Sequence, residues 1–467
     1  MGKILGHFLM PHPPIIVSEI GKGEEAKASA TVEACVKVAD EISKLNPDTL
    51  IIITPHGPIF RDAISVADGT YLSGDFGNFN APDVQFNSVI NSSLTEDIVK
   101  YAFGMGIPMI AINEDSAGRF NIDYELDHGV MVPLYFINKK NTNYKLVHIT
   151  YGLLSEVELY KFGVAIKQAV EHSSSNSVII ASGDLSHKVT HDAPYGYSPH
   201  GKTFDEELLN LLKNGDVLGI FKMDKNMIEC AGECGLRSIH ILLGTMDQER
   251  FKGELFSYEA PFGIGYGVVR LDTSEGGDTD FIEKITNLKD EAMKIIRDSE
   301  DEYVRLARET LEHYVKTGEF IAIPPYVTKY MLNEKQGVFV SLKKDGELRG
   351  CIGTVFPAYD NITDEIMKNA IEAGERDPRF NPVEEDELYD IVYSVDVLMP
   401  AEKSSREMLN PKKYGVIVRS GYRTGLLLPD LSGVDTIDEQ ISIALKKAGI
   451  EEDENYSIER FEVIRHK

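Results

Sequence analysis

Tryptophan is absent from this 467-residue chain and cysteine is scarce, with four residues at positions 35, 230, 234 and 351. The first absence excludes nothing. The second excludes a disulfide framework, since four thiols cannot staple so long a chain. No run approaches the roughly 20 consecutive apolar residues that cross a bilayer. The first twenty residues lack the basic start, long apolar segment and small-residue cleavage site of a secretory signal, so a cytoplasmic location is expected. Positive charge is also short, with 48 Lys and Arg against 75 Asp and Glu, a net charge of −27. Nucleic acid and anionic membranes would be repelled at long range, so neither is an expected partner.

The hydrophobic share of 42% and charged share of 26% are those of an ordinary globular protein. At roughly 150 residues per domain the length implies two or three domains. The clearest break is "LDTSEGGDTD" (residues 271–280), where the β-like "GYGVVRL" gives way to Gly, Ser, Thr and Asp before a helical pattern resumes at Phe281. The expected division is a first domain over 1–272, a linker over 273–280 and a second domain over 281–467. Of the twelve histidines only His313 and His466 lie beyond this break. Imidazole chemistry therefore belongs to the first domain.

In that domain "TLIIIT" (49–54), "KLVHIT" (145–150) and "SVIIAS" (177–182) read as buried strands, being short, β-branched and bounded by polar residues. "EAKASATVEACVKVADEISKL" and "SEVELYKFGVAIKQAVEHS" carry apolar residues at helical spacing. The alternation predicts an α/β fold with a mainly parallel central sheet flanked by helices. The second segment opens with the helical "DEYVRLARETLEHYVKTG", followed by strand-like "GVFVSLKK", a turn at "DGELRG", and strands at "DIVYSVDVL" and "GVIVRS". That order predicts a smaller α+β domain.

Ligands of open α/β sheets gather beyond the carboxyl ends of the strands. His12 in "LMPHPPI" follows "ILGHFLM", His56 in "TPHGP" follows "TLIIIT", and His187 in "GDLSH" follows "SVIIAS". One such histidine is ordinarily a surface or capping residue; three at strand ends point to convergence, and the flanking prolines restrict the backbone at two of them. His128 in "YELDHGVMVPLYF" is a further candidate, because the adjacent Asp127 could orient the ring or raise its pKa. Its bland alternative is a residue at a helix start. His7 and His148 fall within strands and read as structural, while His172, His191 and His200 sit in polar surroundings. A metal site needs an anion as well. "ECAGECGLRSIHILLG" (229–244), read as the start of an apolar helix, offers Glu233, which with two histidines would make a facial triad suited to Fe(II), and Cys234, which would make a softer site. His and carboxylate donors suit Zn as well as Fe.

Taken in order, "MPHPPI", "TPHGP", "DHGVMVPL", "SGDLSH" and "AGECGLRSIHILL" resemble the class III extradiol ring-cleavage dioxygenases of the LigB type, with the Memo family close by. The resemblance covers most of residues 1–272. It implies that His12 and His56 bind Fe(II), that Glu233 completes the triad, and that His187 and His128 handle protons and substrate. The implied reaction opens a catechol-like aromatic diol with O2. The Memo resemblance implies instead a metal protein with Cys234 as ligand that serves a radical SAM partner, without ring cleavage. A scaffold protein with vestigial histidines is the third reading. Related dioxygenases also admit a homodimer. In the second segment "LRGCIGT", "ERDPRFNPV" and "GLLLPDLSGVDTIDEQISIALKKAGI" resemble the AMMECR-type domain, whose fusion or association with Memo-like proteins implies a linked role. Cys351 reads more simply as a small side chain on a tight strand than as a nucleophile. Arg349, Arg376 and Arg379 are equally well explained by anion binding or by ion pairs with neighbouring acids.

Overall fold

The computed structural model describes residues 1–431 and 433–467. In chain order the first ten strands are β1 (Lys3–Met10), β2 (Thr49–Thr54), β3 (Ile64–Ala67), β4 (Tyr71–Phe76), β5 (Ala81–Val89), β6 (Met109–Ile112), β7 (Lys145–Thr150), β8 (Asn176–Ser182), β9 (Glu249–Glu259) and β10 (Tyr266–Glu275). Among the described residues, eight of these form one sheet in the order β6-β3-β7-β2-β8-β1-β10-β9, and β4 and β5 form a separate hairpin. The central four, β7-β2-β8-β1, are mutually parallel. The sheet turns antiparallel where β3 meets β7 and where β10 meets β1 and β9.

Both faces of the parallel centre are covered, which is why β2 reads as an unbroken apolar run. Side chains alternate between faces along each strand. Leu9, Ile51, Ile53, Val147, Ile149 and Ile179 join a core with residues of helices Glu156–His172 and Leu236–Gly244. Phe8, Leu50, Ile52, Leu146 and Ile180 join another with residues of helices Ser29–Leu45 and His128–Ile137. Leu50, Ile51, Ile52 and Ile53 are each fully buried, worth about 1.5–3 kcal/mol apiece in apolar transfer. Helix Glu156–His172 begins with a reciprocal cap between Ser155 and Glu158, so local chemistry and apolar spacing agree there.

By its internal contacts the chain forms two compact units, Met1–Lys289 and Asp290–Lys467, and helix Phe281–Ser299 runs through the division. Residues 273–275, within the stretch read as a linker, continue β10: their backbones pair with residues 249–251 of β9 while their side chains are exposed. Ladder hydrogen bonds hold a strand there without apolar side chains.

The second unit holds β11 (Val338–Lys344), β12 (Glu347–Gly353), β13 (Ile391–Leu398), β14 (Glu402–Ser404), β15 (Gly415–Ser420), β16 (Arg423–Leu427), β17 (Ser457–Phe461) and β18 (Val463–His466). They form two antiparallel sheets, β12-β11-β13-β18 and β14-β17-β15-β16. Helices Glu302–Thr317 and Ile362–Glu375 pack on the first sheet through Leu306, Leu311, Ile366 and Ala370, and Ile437–Ala448 packs on the second through Ile441 and Leu445. The α+β expectation holds for this unit. No helix among the described residues is long and apolar enough to cross a membrane.

Candidate metal centre

The loops after β1, β2 and β8 leave the same end of three adjacent parallel strands. His12 follows β1 between Pro11 and Pro13 and is buried, with its backbone N–H donating to Asp184 Oδ1 at 2.9 Å. His56 follows β2, and its backbone N–H donates to Thr54 Oγ1 at 3.2 Å. His128 is the first residue of helix His128–Ile137. One ring nitrogen from each of His12, His56 and His128 lies within 4.8 Å of the other two. The His12 and His56 Nε2 atoms are 3.0 Å apart. The His56 ring is stacked on that of His128 at 4.0 Å between centroids. His12 is buried, His128 half-buried and His56 exposed, so the group opens to solvent on one side.

The segment carrying the two candidate anions differs from its reading as one helix start. Glu229 and Cys230 belong to helix Lys225–Ala231, which ends at Gly232 with φ of +61°. Glu233 and Cys234 lie in the turn before helix Leu236–Gly244. The glycine at 232 suits this left-handed position, where a side chain would be strained. Glu233 Oε2 accepts the Leu236 N–H at 2.5 Å, capping the new helix. Cys234 Sγ is 3.6 Å from His12 Nε2. It also accepts the Asp184 N–H at 3.3 Å.

Behind the imidazoles lies a polar layer. Asp127 Oδ1 accepts from Thr54 Oγ1 at 2.6 Å, and Asp127 Oδ2 is 2.8 Å from His148 Nε2. His148, read as structural, thus supports the loop that carries His128. Ser182 Oγ, at the end of β8, is 2.9 Å from His12 Nδ1. Glycine at 129 leaves room for the Thr54–Asp127 contact, because a Cβ there would overlap Thr54 Oγ1 and come within 2.8 Å of Asp127 Oδ1. Neither Ser182 nor the Asp127–His148 pair is signalled by a local motif.

Burial holds His12 well below the usual imidazole range, with positive charge on His56 and His128 adding to the effect. His56, exposed on its open side, is still lowered to about 4, first by the protein packed around the rest of its ring and then by His128. The expectation that Asp127 raises the pKa of His128 is corrected: burial lowers it by more than Asp127 raises it. Burial disfavours charge on Asp127 itself, yet the His148 and Thr54 hydrogen bonds outweigh that and hold its carboxyl well below the usual range. Burial, with Asp184 and Glu233 nearby, pushes the Cys234 thiol well up. At neutral pH the centre therefore presents neutral imidazoles with free lone pairs, the state that binds cations, and a bound cation would favour the thiolate.

His187 lies close enough that charge on it disfavours protonation of His12 and His56. Its backbone N–H donates to Ala231 O at 3.2 Å and its ring stacks on exposed Tyr195 at 5.2 Å; burial lowers its own pKa. Phe79 meets His128 at 5.4 Å, giving the centre an aromatic flank. His172 caps its own helix through Gln168 O, His191 packs on Tyr197, and His200 lies in the first turn of helix Pro199–Asn214. A cleft of about 430 Å³ lies along β1 and β10, lined by residues that include Glu41, Lys44, Arg270 and Asp272, and holds none of the three grouped histidines. Chemistry, not cavity size, marks the site.

Residues 6–269 match the family model described as the catalytic LigB subunit of aromatic ring-opening dioxygenase. The chain is a member of the LigB family. Residues 304–466 match the AMMECR1 family, so this LigB-family chain carries both domains. It is 51% identical over 463 residues to a protein of Clostridium acetobutylicum, covering 99% of each chain. A Thermotoga maritima protein is 51% identical over 158 residues, 33% of this chain and 91% of that protein. An uncharacterised Pyrococcus horikoshii protein of known structure is 34% identical, with a TM-score of 0.32, over 35% of this chain and 88% of its own.

In the AMMECR1 domain of this LigB-family chain, Cys351 is half-buried on β12, and its Sγ accepts from Ser341 Oγ at 3.2 Å. Its backbone N–H and C=O are taken by Asp377 and Arg379. Arg349, Arg376 and Arg379 pair with Glu387, Glu372 and Asp377. The ion-pair explanation accounts for all three.

Proposed function

We propose that the LigB-family domain is a metal centre in which His12, His56 and His128 supply neutral nitrogen donors and Cys234 supplies the anion. The observation that carries this reading is the 3.6 Å approach of Cys234 Sγ to His12 Nε2, set against a Glu233 carboxylate engaged by the Leu236 N–H. Imidazole and thiolate donors suit Fe(II) and Zn, and such an ion supplies Lewis acidity and, for iron, electron transfer. The open His56 side admits a ligand from solvent. His187 stands beside the centre as a neutral base able to take a proton from that ligand, and Phe79 and Tyr195 give it apolar walls. The fused AMMECR1 domain supports a shared task, with a radical SAM protein as the partner class, in cytoplasmic protein.

The family match favours a second reading. In it His12, His56 and Glu233 would hold Fe(II), which would supply O2 activation for opening a catechol-like ring, while His187 would take a proton from the diol and His128 would serve as proton donor. The two readings differ in the anion. Protein purified without chelators is assayed for iron and zinc, loaded anaerobically with Fe(II), and examined by absorption and X-ray absorption spectroscopy. A metal–sulfur bond that disappears in Cys234→Ser supports the first reading. An all N/O shell that changes in Glu233→Gln, together with turnover of a catechol panel on admitting O2, supports the second. Absence of stoichiometric metal defeats both.

A further inference from the structure

We infer that Ser182 is a positioning residue that sets His12 in the one neutral tautomer able to offer Nε2 to a metal ion. A serine hydroxyl has a single proton. Ser182 Oγ lies 2.5 Å from the carbonyl oxygen of Gly129 and 2.9 Å from His12 Nδ1. The carbonyl can only accept, so the Ser182 proton points at Gly129. His12 Nδ1 must then be the donor to Ser182 Oγ, and Nε2 is left with its lone pair. That lone pair faces His56 Nε2 at 3.0 Å and Cys234 Sγ at 3.6 Å.

The opposite tautomer fails on the same geometry. With the His12 proton on Nε2, the Ser182 proton would have to turn to Nδ1, leaving two lone-pair oxygens 2.5 Å apart. Ser182 and His12 are both buried, at 0% and 2% exposure, so water cannot relieve that contact. The acceptor belongs to Gly129, next to His128, while Thr54 Oγ1 donates to Asp127 on its other side and accepts the His56 N–H. Each hydroxyl has its proton committed to a neighbour of His128 and its lone pair to another histidine. Ser182 therefore couples the tautomer of His12 to the position of the helix that begins at His128.

The inference rests on the metal-centre reading only for its effect on affinity; the tautomer itself is read without metal. Long-range ¹H–¹⁵N correlation spectra of the metal-free full chain, with the His12 signals assigned by their loss in His12→Gln, should show His12 protonated on Nδ1. A proton on Nε2 in the wild-type protein overturns the inference. In Ser182→Ala the His12 signals should shift toward the other tautomer or toward exchange between the two, and Zn(II) affinity, measured against a chromophoric chelator, should fall about 10- to 100-fold. Ser182→Thr, which keeps the hydroxyl, should recover both. A Ser182→Ala protein that keeps the Nδ1–H tautomer and binds zinc within about threefold of wild type also overturns it. Wild-type protein that binds no zinc defeats the metal-centre reading, while an Nδ1–H tautomer in that same protein still upholds the assignment to Ser182.

Discussion

Replacing Gly129 by alanine tests the support of the histidine group through a single methyl. A Cβ at 129 would overlap Thr54 Oγ1 and sit 2.8 Å from Asp127 Oδ1. Thr54 must rotate away, breaking its bond to the Asp127 carboxylate, worth about 1.5–3 kcal/mol, and releasing the His56 N–H, worth about 0.5–1.5 kcal/mol. Alanine is favoured over glycine in a helix by about 1 kcal/mol, which offsets part of the loss. The net destabilisation is about 2 kcal/mol, close to thirtyfold in the unfolding equilibrium. Zinc affinity should fall about 10- to 100-fold with it, since His56 and His128 lean on the same Thr54–Asp127 contact. Urea unfolding followed by circular dichroism and chelator competition measure the two effects. Gly118→Ala is the control: it lies in helix Glu114–Phe120 with nothing within 4 Å of its added Cβ, and should stabilise by about 0.5–1 kcal/mol. Gly129→Ala protein with unchanged stability and zinc affinity would refute the steric argument.

Glu233→Gln should retain the cap on Leu236 and bind zinc within about threefold of wild type, whereas Glu233→Ala should lose about 1 kcal/mol of stability in urea; a large loss of zinc in the Gln variant would return Glu233 to the ligand set. Asp205 is fully buried, accepting from the Ser186 N–H and Tyr258 Oη, and burial raises its pKa to about 7. Its native pKa lies above the unfolded value of about 3.9, so the native state holds the proton longer and stability should fall as pH rises between about 4 and 7. Asp205→Asn should flatten that part of the profile of urea midpoint against pH, and an unchanged slope would count against it. In the second unit Glu365 accepts from Thr354 Oγ1 and from the N–H groups of Ala358 and Tyr359. Glu365→Ala should cost about 3 kcal/mol and speed amide exchange across residues 354–361, and unchanged exchange there would refute the anchoring role.

Strands β2 and β7 and helix Glu156–His172 were legible because periodicity, propensity and caps all agree locally. The β4–β5 hairpin was not: Tyr71, Ser73 and Asp75 are partly or fully exposed, so the stretch carries no apolar run to announce a strand. His12, His56 and His187 were visible as strand-end residues because in parallel sheets position along the strand foretells position in the site. The partnership of His148 with Asp127 was hidden, since 21 residues and a change of element separate them. Ser182 was hidden for the same reason, 170 residues from His12.

The sequence by itself determined an α/β unit with imidazoles at one end of a parallel sheet and an α+β unit following it in the chain, because those properties follow from the order and spacing of apolar and polar residues. Only the tertiary structure decided which histidines group together and which anion lies against them. His128 reaches His56 because its helix packs Val130 and Leu134 into the core that holds Leu50 and Ile52. Glu233 and Cys234 are neighbours in sequence, but the left-handed turn at Gly232 gives the carboxylate to the amide of Leu236 and leaves the sulfur beside His12. That division depends on backbone direction at one turn, which residue identity alone does not encode.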